Sequence, residues 1–288
     1  MDLPQRLLFW LKVSRPGLWF QTLWLYTLPT AQLPQLLHSP IFWLGFVYVT
    51  FPLNFLVYGW NDMVDYENDL HNPRKDSYLF GARGSLAELS RLPIPLALAQ
   101  VPFFIAFIWL AGWPMAVLLA GLVAVNGLYN LPRTGWRGRP PLELINQAGY
   151  LLLLPLSVML NHTPEVSWAA IGYLVLFCTH SHLMGEVMDV IPDARANRRT
   201  TARLLGVKGT KAVILALVVI EGLLLGFVFH DWILGGFLLL GAIWLILDVL
   251  VLFRDRPYTL GEFQLFGLGI NASGFASMIW VWNTGTLM

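Results

Sequence analysis

Long apolar segments alternate with short polar ones along almost the whole chain. A helix needs about 20 apolar residues to cross a bilayer, and segments of this kind recur nine times. They cover residues 17–37, 41–60, 93–111, 114–131, 141–160, 167–188, 212–229, 232–252 and 263–283. Very short links join the third segment to the fourth and the seventh to the eighth, which predicts two helical hairpins. The pattern therefore predicts an all-α integral membrane protein, a single domain over residues 1–288 with nine transmembrane helices.

The composition agrees with a membrane protein and excludes chemistry that depends on cysteine pairs. Hydrophobic residues make up 57% of the chain and charged residues only 12%, whereas soluble domains carry about a quarter charged residues. Cys178 is the only cysteine, which excludes an intrachain disulfide and a Cys-based metal or redox site. We expect the chain to be surrounded by a lipid membrane and to bind no nucleic acid.

The N-terminal residues 1–16 differ from a secretory signal, because they lack the small-residue cleavage site of a signal peptide. Their sequence is MDLPQRLLFWLKVSRP, with apolar residues on one helical face and Arg6 and Lys12 on the other. This amphipathic pattern predicts a short helix that lies in the membrane interface.

The basic residues are confined to one side of the predicted topology. All 18 Lys and Arg residues fall at the N-terminus or in the loops after the second, fourth, sixth and eighth segments. Cytoplasmic loops of membrane proteins carry such an excess of Lys and Arg. We therefore expect a cytoplasmic N-terminus and a protein integral to the cytoplasmic (plasma) membrane.

The second apolar segment ends in a block of carboxylates, NDMVDYEND, at residues 61–69. Asp62, Asp65 and Asp69 are spaced i, i+3 and i+7, so on a helix they fall within roughly 60° of one face. Carboxylates this close repel one another, and cations bound between them would offset the repulsion. The alternative is a solvated polar face, although an acidic excess is atypical of cytoplasmic loops.

A second acidic pair, Asp189 and Asp193, lies in the segment GEVMDVIPDARANRRTTARLLG. The topology places this pair at the same membrane face as the first motif. Mg²⁺ binds few carboxylates together with phosphate oxygens, so two such clusters suit it. The basic residues around the two motifs are Arg74, Lys75, Arg133, Arg137, Arg139, Arg198 and Arg199. The mixture of acidic and basic groups predicts a site where Mg²⁺ bridges carboxylates to a diphosphate, with the active site on the cytoplasmic side.

The paired motifs resemble those of a known family. The pattern N-D-x-x-D-x-x-x-D ends the second segment and D-x-x-x-D ends the sixth, and the chain also contains SRPGLW, LYNLP and RRTTARLLG. These motifs, in this order and on these helices of a predicted nine-helix membrane protein, resemble the motifs of the UbiA superfamily of intramembrane prenyltransferases.

The resemblance implies a helical bundle around a central cavity that opens toward the bilayer. It implies that two Mg²⁺ ions hold a prenyl diphosphate at the cytoplasmic mouth, between motif loops at residues 61–92 and 189–211. The implied metal ligands are Asn61, Asp62, Asp65, Asp69, Asp189 and Asp193. The five aspartates of this set are also the implied catalytic residues.

Polar residues within or beside the apolar segments are candidates for contact with the substrate. The candidates are Asn54, Asn61, Arg74, Lys75, Tyr129, Asn130, Arg133, His182, Arg198 and Arg199. His182 could accept the proton lost after coupling, while a hydrogen-bonded structural role is the alternative for it and for His180. Glu221 lies near the middle of the seventh segment, where a charge is costly, and no role follows for it from the sequence.

The run after the first motif indicates the acceptor. NPRK at residues 72–75, with PLNFLVYGWND before it and IPDARANRRTTA downstream, is similar to the carotenoid branch of the family, the lycopene elongases. That resemblance implies transfer of a dimethylallyl group from its diphosphate to a hydrophobic polyene such as lycopene.

Two other functions stay open at this level. An aromatic acceptor on the way to a quinone or related lipid would need an Arg near its acidic group, and Arg133 or Arg137 could supply one. A transporter is the non-enzymatic alternative, but its polar residues should line a path through the bilayer centre. Here the charge is concentrated at one face, which favours a site over a path.

Overall fold

The computed structural model describes residues 2–70 and 72–288, and helices dominate it. The α-helices are α1 (Leu3–Val13), α2 (Trp19–Thr27), α3 (Pro40–Val64), α4 (Tyr66–Leu70), α5 (Leu86–Leu89), α6 (Pro93–Ala111), α7 (Trp113–Asn130), α8 (Leu142–Gln147), α9 (Leu153–Asn161), α10 (Trp168–Arg195), α11 (Thr201–Phe227), α12 (Trp232–Leu247) and α13 (Leu260–Thr284). Local sequence explains their starts, because Pro or a Ser, Thr or Asp cap begins most of the long ones.

Eight helical stretches among the described residues are long and apolar enough to cross a membrane. They are Pro40–Val64, Leu86–Ala111, Trp113–Asn130, Leu142–Asn161, Trp168–Arg195, Thr201–Phe227, Trp232–Leu252 and Leu260–Thr284. They correspond to the second to ninth predicted segments. The two predicted hairpins are confirmed, since α6 meets α7 at Gly112 and α11 meets α12 across residues 228–231.

The first predicted segment, residues 17–37, is not a regular long helix. It consists of the nine-residue α2 and the 3₁₀ turns Leu28–Thr30 and Pro34–His38. Proline removes a backbone donor and clashes with the preceding turn, and Pro29 and Pro34 lie in these turns. This segment is therefore outside the set of eight.

The irregular segment nevertheless packs along α13. The ring of Phe20 lies 6.3 Å from that of Phe275, and Trp24 Nε1 donates to Ser277 Oγ at 3.3 Å. Farther on, the backbone N–H of Gln32 donates to a carbonyl near the end of α13, at 2.9 Å. The segment thus follows the last helix over much of its length.

A hydrophobic core packs the half of the bundle opposite to the acidic motifs. It joins buried side chains of α2, α3, α6, α7, α9, α10, α11, α12 and α13. Asp231 ties this end together, because it caps α12 through Leu234 N at 2.9 Å and also accepts from Trp280 Nε1 at 2.8 Å. It accepts a third hydrogen bond from Thr286 Oγ1 at 2.6 Å, which fixes the C-terminal residues onto the α11–α12 hairpin.

A buried ion pair joins α11 to the end of α12. Lys211 Nζ lies 2.8 Å from Asp248 Oδ1, and both side chains are fully buried. Tyr258 donates its hydroxyl hydrogen to the other carboxylate oxygen, and its ring lies 4.2 Å below the Lys211 ammonium. The pair is thus satisfied on both sides, as a buried charge pair must be.

Candidate active site

The two acidic motifs meet at one end of the bundle, where α3 and α10 end. α3 stops at Val64 and Asp65 forms its C-cap, with φ −97° and ψ 6°. The predicted continuous helical face therefore breaks at Asp65, and the short α4 carries Asp69. Lys75 restores the proximity of the carboxylates, because its Nζ lies 2.6 Å from both Asp62 Oδ1 and Asp69 Oδ2.

Asp62 is the most buried carboxylate of the first motif, with 1% of its surface exposed. Besides Lys75 it binds Arg15, whose Nη2 lies 2.7 Å from Oδ1. Both cations contact the same oxygen. Asp62 Oδ2 is buried without a hydrogen bond to any residue that the structure describes, so it remains an available ligand atom.

Asp65 connects the first motif to the second. Its carboxylate is ion-paired with both Arg137 and Arg198. Arg198 also lies 3.7 Å from Asp193 Oδ1, so one guanidinium spans the two motifs. Asp189 is held in turn by Arg74 and by Asn72 Nδ2, the latter at 3.2 Å.

A tight turn after the first motif positions these cations. Its backbone is closed by the hydrogen bond from Asp76 N to Gly81 O, at 2.8 Å. Gly81 has φ +99°, and a Cβ there would lie 2.9 Å from Arg15 Nε. A side chain would therefore collide with the Arg15 that contacts Asp62, which explains the glycine.

The environment of Asp69 is less polar than water. Burial raises the pKa of Asp69 to about 6, against the opposing effect of the neighbouring Lys75 ammonium. Asp62 and Asp65 add to the increase because negative charges close together disfavour one another. Burial is thus the largest cause of the raised pKa, and the neighbouring carboxylates reinforce it.

Several other predicted residues lie at the inner edge of this cluster. Asn61 Nδ2 donates to Asn130 Oδ1 at 3.3 Å. Tyr129 packs edge-on against the ring of His182, with centroids 6.3 Å apart. His182 Nε2 lies 3.3 Å from Glu186, whose other oxygen accepts from the first turn of α11 at 2.8 Å.

Three predicted contacts lie elsewhere. Asn54 is almost fully buried and donates to Thr22 Oγ1 at 2.9 Å and to Val49 O at 2.8 Å, so its amide joins α3 to α2. Arg133 and Arg199 are exposed, and neither forms an ion pair within the described part of the chain. Arg133 instead borders a cavity of about 670 Å³ beside the cluster, together with Glu67, Arg137 and Arg139.

Sequence reasoning missed Arg15 as a site residue. It lies within SRPGLW, in the left-handed conformation with φ 52°, and Pro16 follows it. Its guanidinium contacts Asp62 and lies 4.4 Å from the ring centroid of Tyr58. The sequence did contain a sign of this role, because Arg15 is a basic residue inside SRPGLW, a motif that carries the family resemblance.

The oxygen atoms of the two motifs are ligands that suit a hard divalent cation. In this structure, however, Arg and Lys side chains balance the charge of the carboxylates. Carboxylate and amide oxygens from both motifs converge, and Asp62 Oδ2 is free to coordinate. Within residues 2–70 and 72–288, however, no group of three or more His, Cys, Asp or Glu side chains is close enough to hold a metal. Metal binding at this site would therefore require these ion pairs to rearrange.

The model of the UbiA prenyltransferase family matches residues 18–270. The chain belongs to this family. It is a prenyltransferase, and the transporter alternative is set aside. The match covers both acidic motifs and every long helix in at least part of its length.

Curated relatives of the chain act on carotenoids, by their names. A lycopene elongase/hydratase of Corynebacterium glutamicum is 27% identical over 230 residues, which are 77% of this chain and 78% of that protein. A protein of the same name from Haloarcula japonica is 28% identical over 249 residues, 80% of this chain and 77% of that protein. The predicted resemblance to the carotenoid branch is thereby confirmed.

Solved structures share the fold. A UbiA homologue from Archaeoglobus fulgidus bound to DMAPP and Mg²⁺ has a TM-score of 0.63 at 18% identity, covering 94% of this chain and 99% of that one. The same homologue bound to GPP and Mg²⁺ also has a TM-score of 0.63, at 16% identity, with 93% and 99% covered. At this identity the likeness establishes the fold of the bundle.

Proposed function

We propose that this prenyltransferase transfers a dimethylallyl group from its diphosphate to a hydrophobic polyene such as lycopene, in an Mg²⁺-dependent reaction. The observation that carries the proposal is the cluster in which both acidic motifs share cations, with Arg198 between Asp65 and Asp193. The names of the carotenoid relatives support the acceptor. The diphosphate-bound homologues support the donor.

The metal would be held by the two motifs together. Asn61, Asp62, Asp65, Asp69, Asp189 and Asp193 provide the oxygen ligands, and we propose two ions, as the family resemblance implies. When bound, Mg²⁺ neutralises charge on the departing diphosphate. The ligands come from opposite sides of the mouth, so the site is complete only when the ends of α3 and α10 are close.

The basic residues of the cluster would bind the diphosphate itself. Arg15, Arg74, Lys75 and Arg198 each contact a carboxylate of the motifs. With metal bound to those carboxylates, the same guanidinium and ammonium groups would be free to donate to phosphate oxygens. The same basic side chains would thus pair with the motif carboxylates in the absence of substrate and with the diphosphate in its presence.

Aromatic side chains line the path inward from the cations. Tyr58 lies under the Arg15 guanidinium, and Tyr129 lies against His182. Aromatic faces attract cationic carbon, and a lining of this kind excludes water until the acceptor is in place. These rings are proposed to surround the allylic cation.

The proposed orientation follows the distribution of Lys and Arg. With nine crossings, counting the irregular first segment, the N-terminus and the carboxylate mouth would both lie on the cytoplasmic side of the plasma membrane. The diphosphate donor is water-soluble and would reach the mouth from the cytoplasm. The polyene would reach the cavity from the bilayer.

A lycopene-producing host that expresses the chain tests the proposal. We expect extracted pigment to contain lycopene extended by one or two C5 units. The purified protein should release diphosphate from dimethylallyl diphosphate only with Mg²⁺ and lycopene present. Unchanged lycopene, together with prenylation of an added aromatic acid, would instead favour the aromatic acceptor, for which the Arg-lined cavity beside the mouth is the supporting feature.

Replacing Arg15 with Gln should raise the KM for dimethylallyl diphosphate by about 10- to 100-fold. A charge-assisted hydrogen bond contributes about 1.5–3 kcal/mol, and the substitution removes one from the diphosphate. Initial rates at varied donor concentration give the KM. Arg195, an exposed arginine on α10, provides the matched control, and its replacement with Gln should leave the KM unchanged. If the two substitutions change the KM equally, Arg15 does not bind the diphosphate.

A further inference from the structure

A histidine and a glutamate form a hydrogen-bonded pair inside the bundle, away from the acidic motifs. His180 Nδ1 lies 2.7 Å from Glu221 Oε1, and Glu221 is 0% exposed. Glu221 Oε2 has no hydrogen-bond partner among residues 2–70 and 72–288. A carboxylate costs several kcal/mol in the interior of a membrane protein, so such residues generally serve a function.

The pair faces the interior of the bundle. The ring of His180 packs edge-on against Phe177, with centroids 5.2 Å apart. Phe177 stacks in turn on Trp24 of α2, at 6.1 Å and 15° between the planes. The imidazole thus borders the aromatic contact that joins α10 to α2 across the bundle.

The hydrogen bond to Glu221 determines which nitrogen of the His180 imidazole carries the hydrogen. If Nδ1 carries the hydrogen and donates it to the carboxylate, Nε2 keeps its lone pair and can accept a proton. Nε2 of His180 makes no hydrogen bond with a described residue. In contrast, His182 contacts Glu186 through Nε2, and Glu186 also caps α11.

We propose that His180, oriented by Glu221, is the general base that ends the transfer; this rests on the proposed function. The C–O bond of the donor breaks and its electron pair leaves with diphosphate. The terminal double bond of the acceptor supplies the pair for the new C–C bond, which leaves a tertiary cation on the acceptor.

The last step releases a proton in either of two ways. A C–H bond next to the cation can give its electrons to a new double bond, or a water molecule can add through oxygen and lose one hydrogen. His180 Nε2 takes the proton in both cases, and the resulting imidazolium is stabilised by the Glu221 carboxylate. The product, an alkene or an alcohol, shows which source the proton has.

The depth of the pair agrees with this role. At 1.5 Å per residue, His180 lies roughly 14 Å from Asp189 along α10. A diphosphate held by the motif residues would place the transferred carbon on the inner side of the carboxylates. The acceptor cation would then form deeper in the bundle, toward His180.

The test measures two products of one reaction. Full-length protein in lipid nanodiscs is supplied with dimethylallyl diphosphate, Mg²⁺ and lycopene, and both diphosphate and pigment are quantified. The variants are His180→Gln and Glu221→Gln, with Thr179→Val as the matched control. Thr179 is the neighbouring residue, and its hydroxyl donates to its own helix at Val175 O, 2.7 Å away.

We expect diphosphate release by both variants to stay within about threefold of wild type, because the mouth is untouched. General bases contribute about 10²–10⁴-fold, so the share of the wild-type product should fall at least tenfold, replaced by products of the other ways in which the cation can end. Glu221→Gln preserves shape and hydrogen bonding, so a purely structural Glu221 would leave the product ratio unchanged. Thr179→Val should match wild type in both measurements.

The outcomes separate two failures. If wild type releases no diphosphate and forms no extended pigment, the proposed function fails and the inference fails with it. If wild type forms the product and both variants keep its share, only the inference is overturned. Loss of diphosphate release in the variants, or the same change in product share in Thr179→Val, would also overturn it, because the effect would then belong to folding or to the mouth.

Discussion

Replacing Asp62 with Asn should lower kcat/KM for diphosphate release by about a hundredfold to a thousandfold. Asp62 is almost fully buried, binds both Arg15 and Lys75, and keeps one oxygen free for a cation. Loss of one preorganised electrostatic contact to a reacting group typically has an effect of this size. The measurement is the Mg²⁺-dependent rate with dimethylallyl diphosphate and lycopene.

The control for this change lies in the same motif. Glu67 is exposed and forms no ion pair with another described residue, so Glu67→Gln should keep its rate within about twofold of wild type. Thermal unfolding of both variants in one detergent verifies that they are folded. A folded Asp62→Asn protein with more than a tenth of wild-type activity would contradict the role assigned to Asp62.

Replacing Asp248 with Ala should lower the free energy of unfolding by about 3–5 kcal/mol, because it leaves the Lys211 ammonium buried without its partner. Both side chains of this pair are fully buried, and the lost hydrogen bond from Tyr258 adds to the effect. Unfolding in mixed micelles, at fixed detergent composition, measures the change.

A second experiment replaces both charged residues of the buried pair at once. With Tyr258→Phe as a common background, Lys211→Met combined with Asp248→Leu should recover most of the lost stability, since a buried pair can be replaced by apolar groups at little cost. Arg256 and Glu262 form a pair 2.7 Å apart in which the arginine is exposed, and Arg256→Ala should leave the free energy of unfolding close to that of wild type, because exposed ion pairs contribute little to stability. A cost for Asp248→Ala no larger than this would show that the buried pair has little effect on stability.

The membrane pattern could be predicted from sequence because length and hydropathy alone define a spanning helix. Eight of the nine predicted segments are long apolar helices in the structure. The exception, residues 17–37, has enough apolar residues, but Pro29 and Pro34 interrupt its hydrogen bonding and leave only α2 as regular α-helix. Hydropathy does not detect this interruption.

The acidic motifs could be predicted, but their partners could not. Spacing reveals neighbours within one or two helical turns, whereas Arg15 lies 47 residues from Asp62 and His180 lies 41 residues from Glu221. Asn54 shows the same limit of spacing. Its amide donates to Thr22 and to backbone carbonyls, and these contacts depend on the packing of α2 against α3, which spacing does not reveal.

The three carboxylates of the first motif are neutralised largely by the chain itself. The spacing of Asp62, Asp65 and Asp69 predicted positive charge between them, and metal ions were the expected source. The chain itself supplies that charge through Lys75 and its arginines. Carboxylate spacing therefore indicates a need for cations but does not distinguish metal ions from Lys and Arg side chains.

The packed end of the bundle has a consequence for how often an acceptor must bind. We expect the core there, with the hydrogen bonds that Trp280 and Thr286 donate to Asp231, to block the passage of a long chain. A polyene with two reactive ends would have to withdraw completely, reverse and enter again before its second extension. The enzyme should therefore be distributive, so that singly extended pigment accumulates first and doubly extended pigment appears only after a lag.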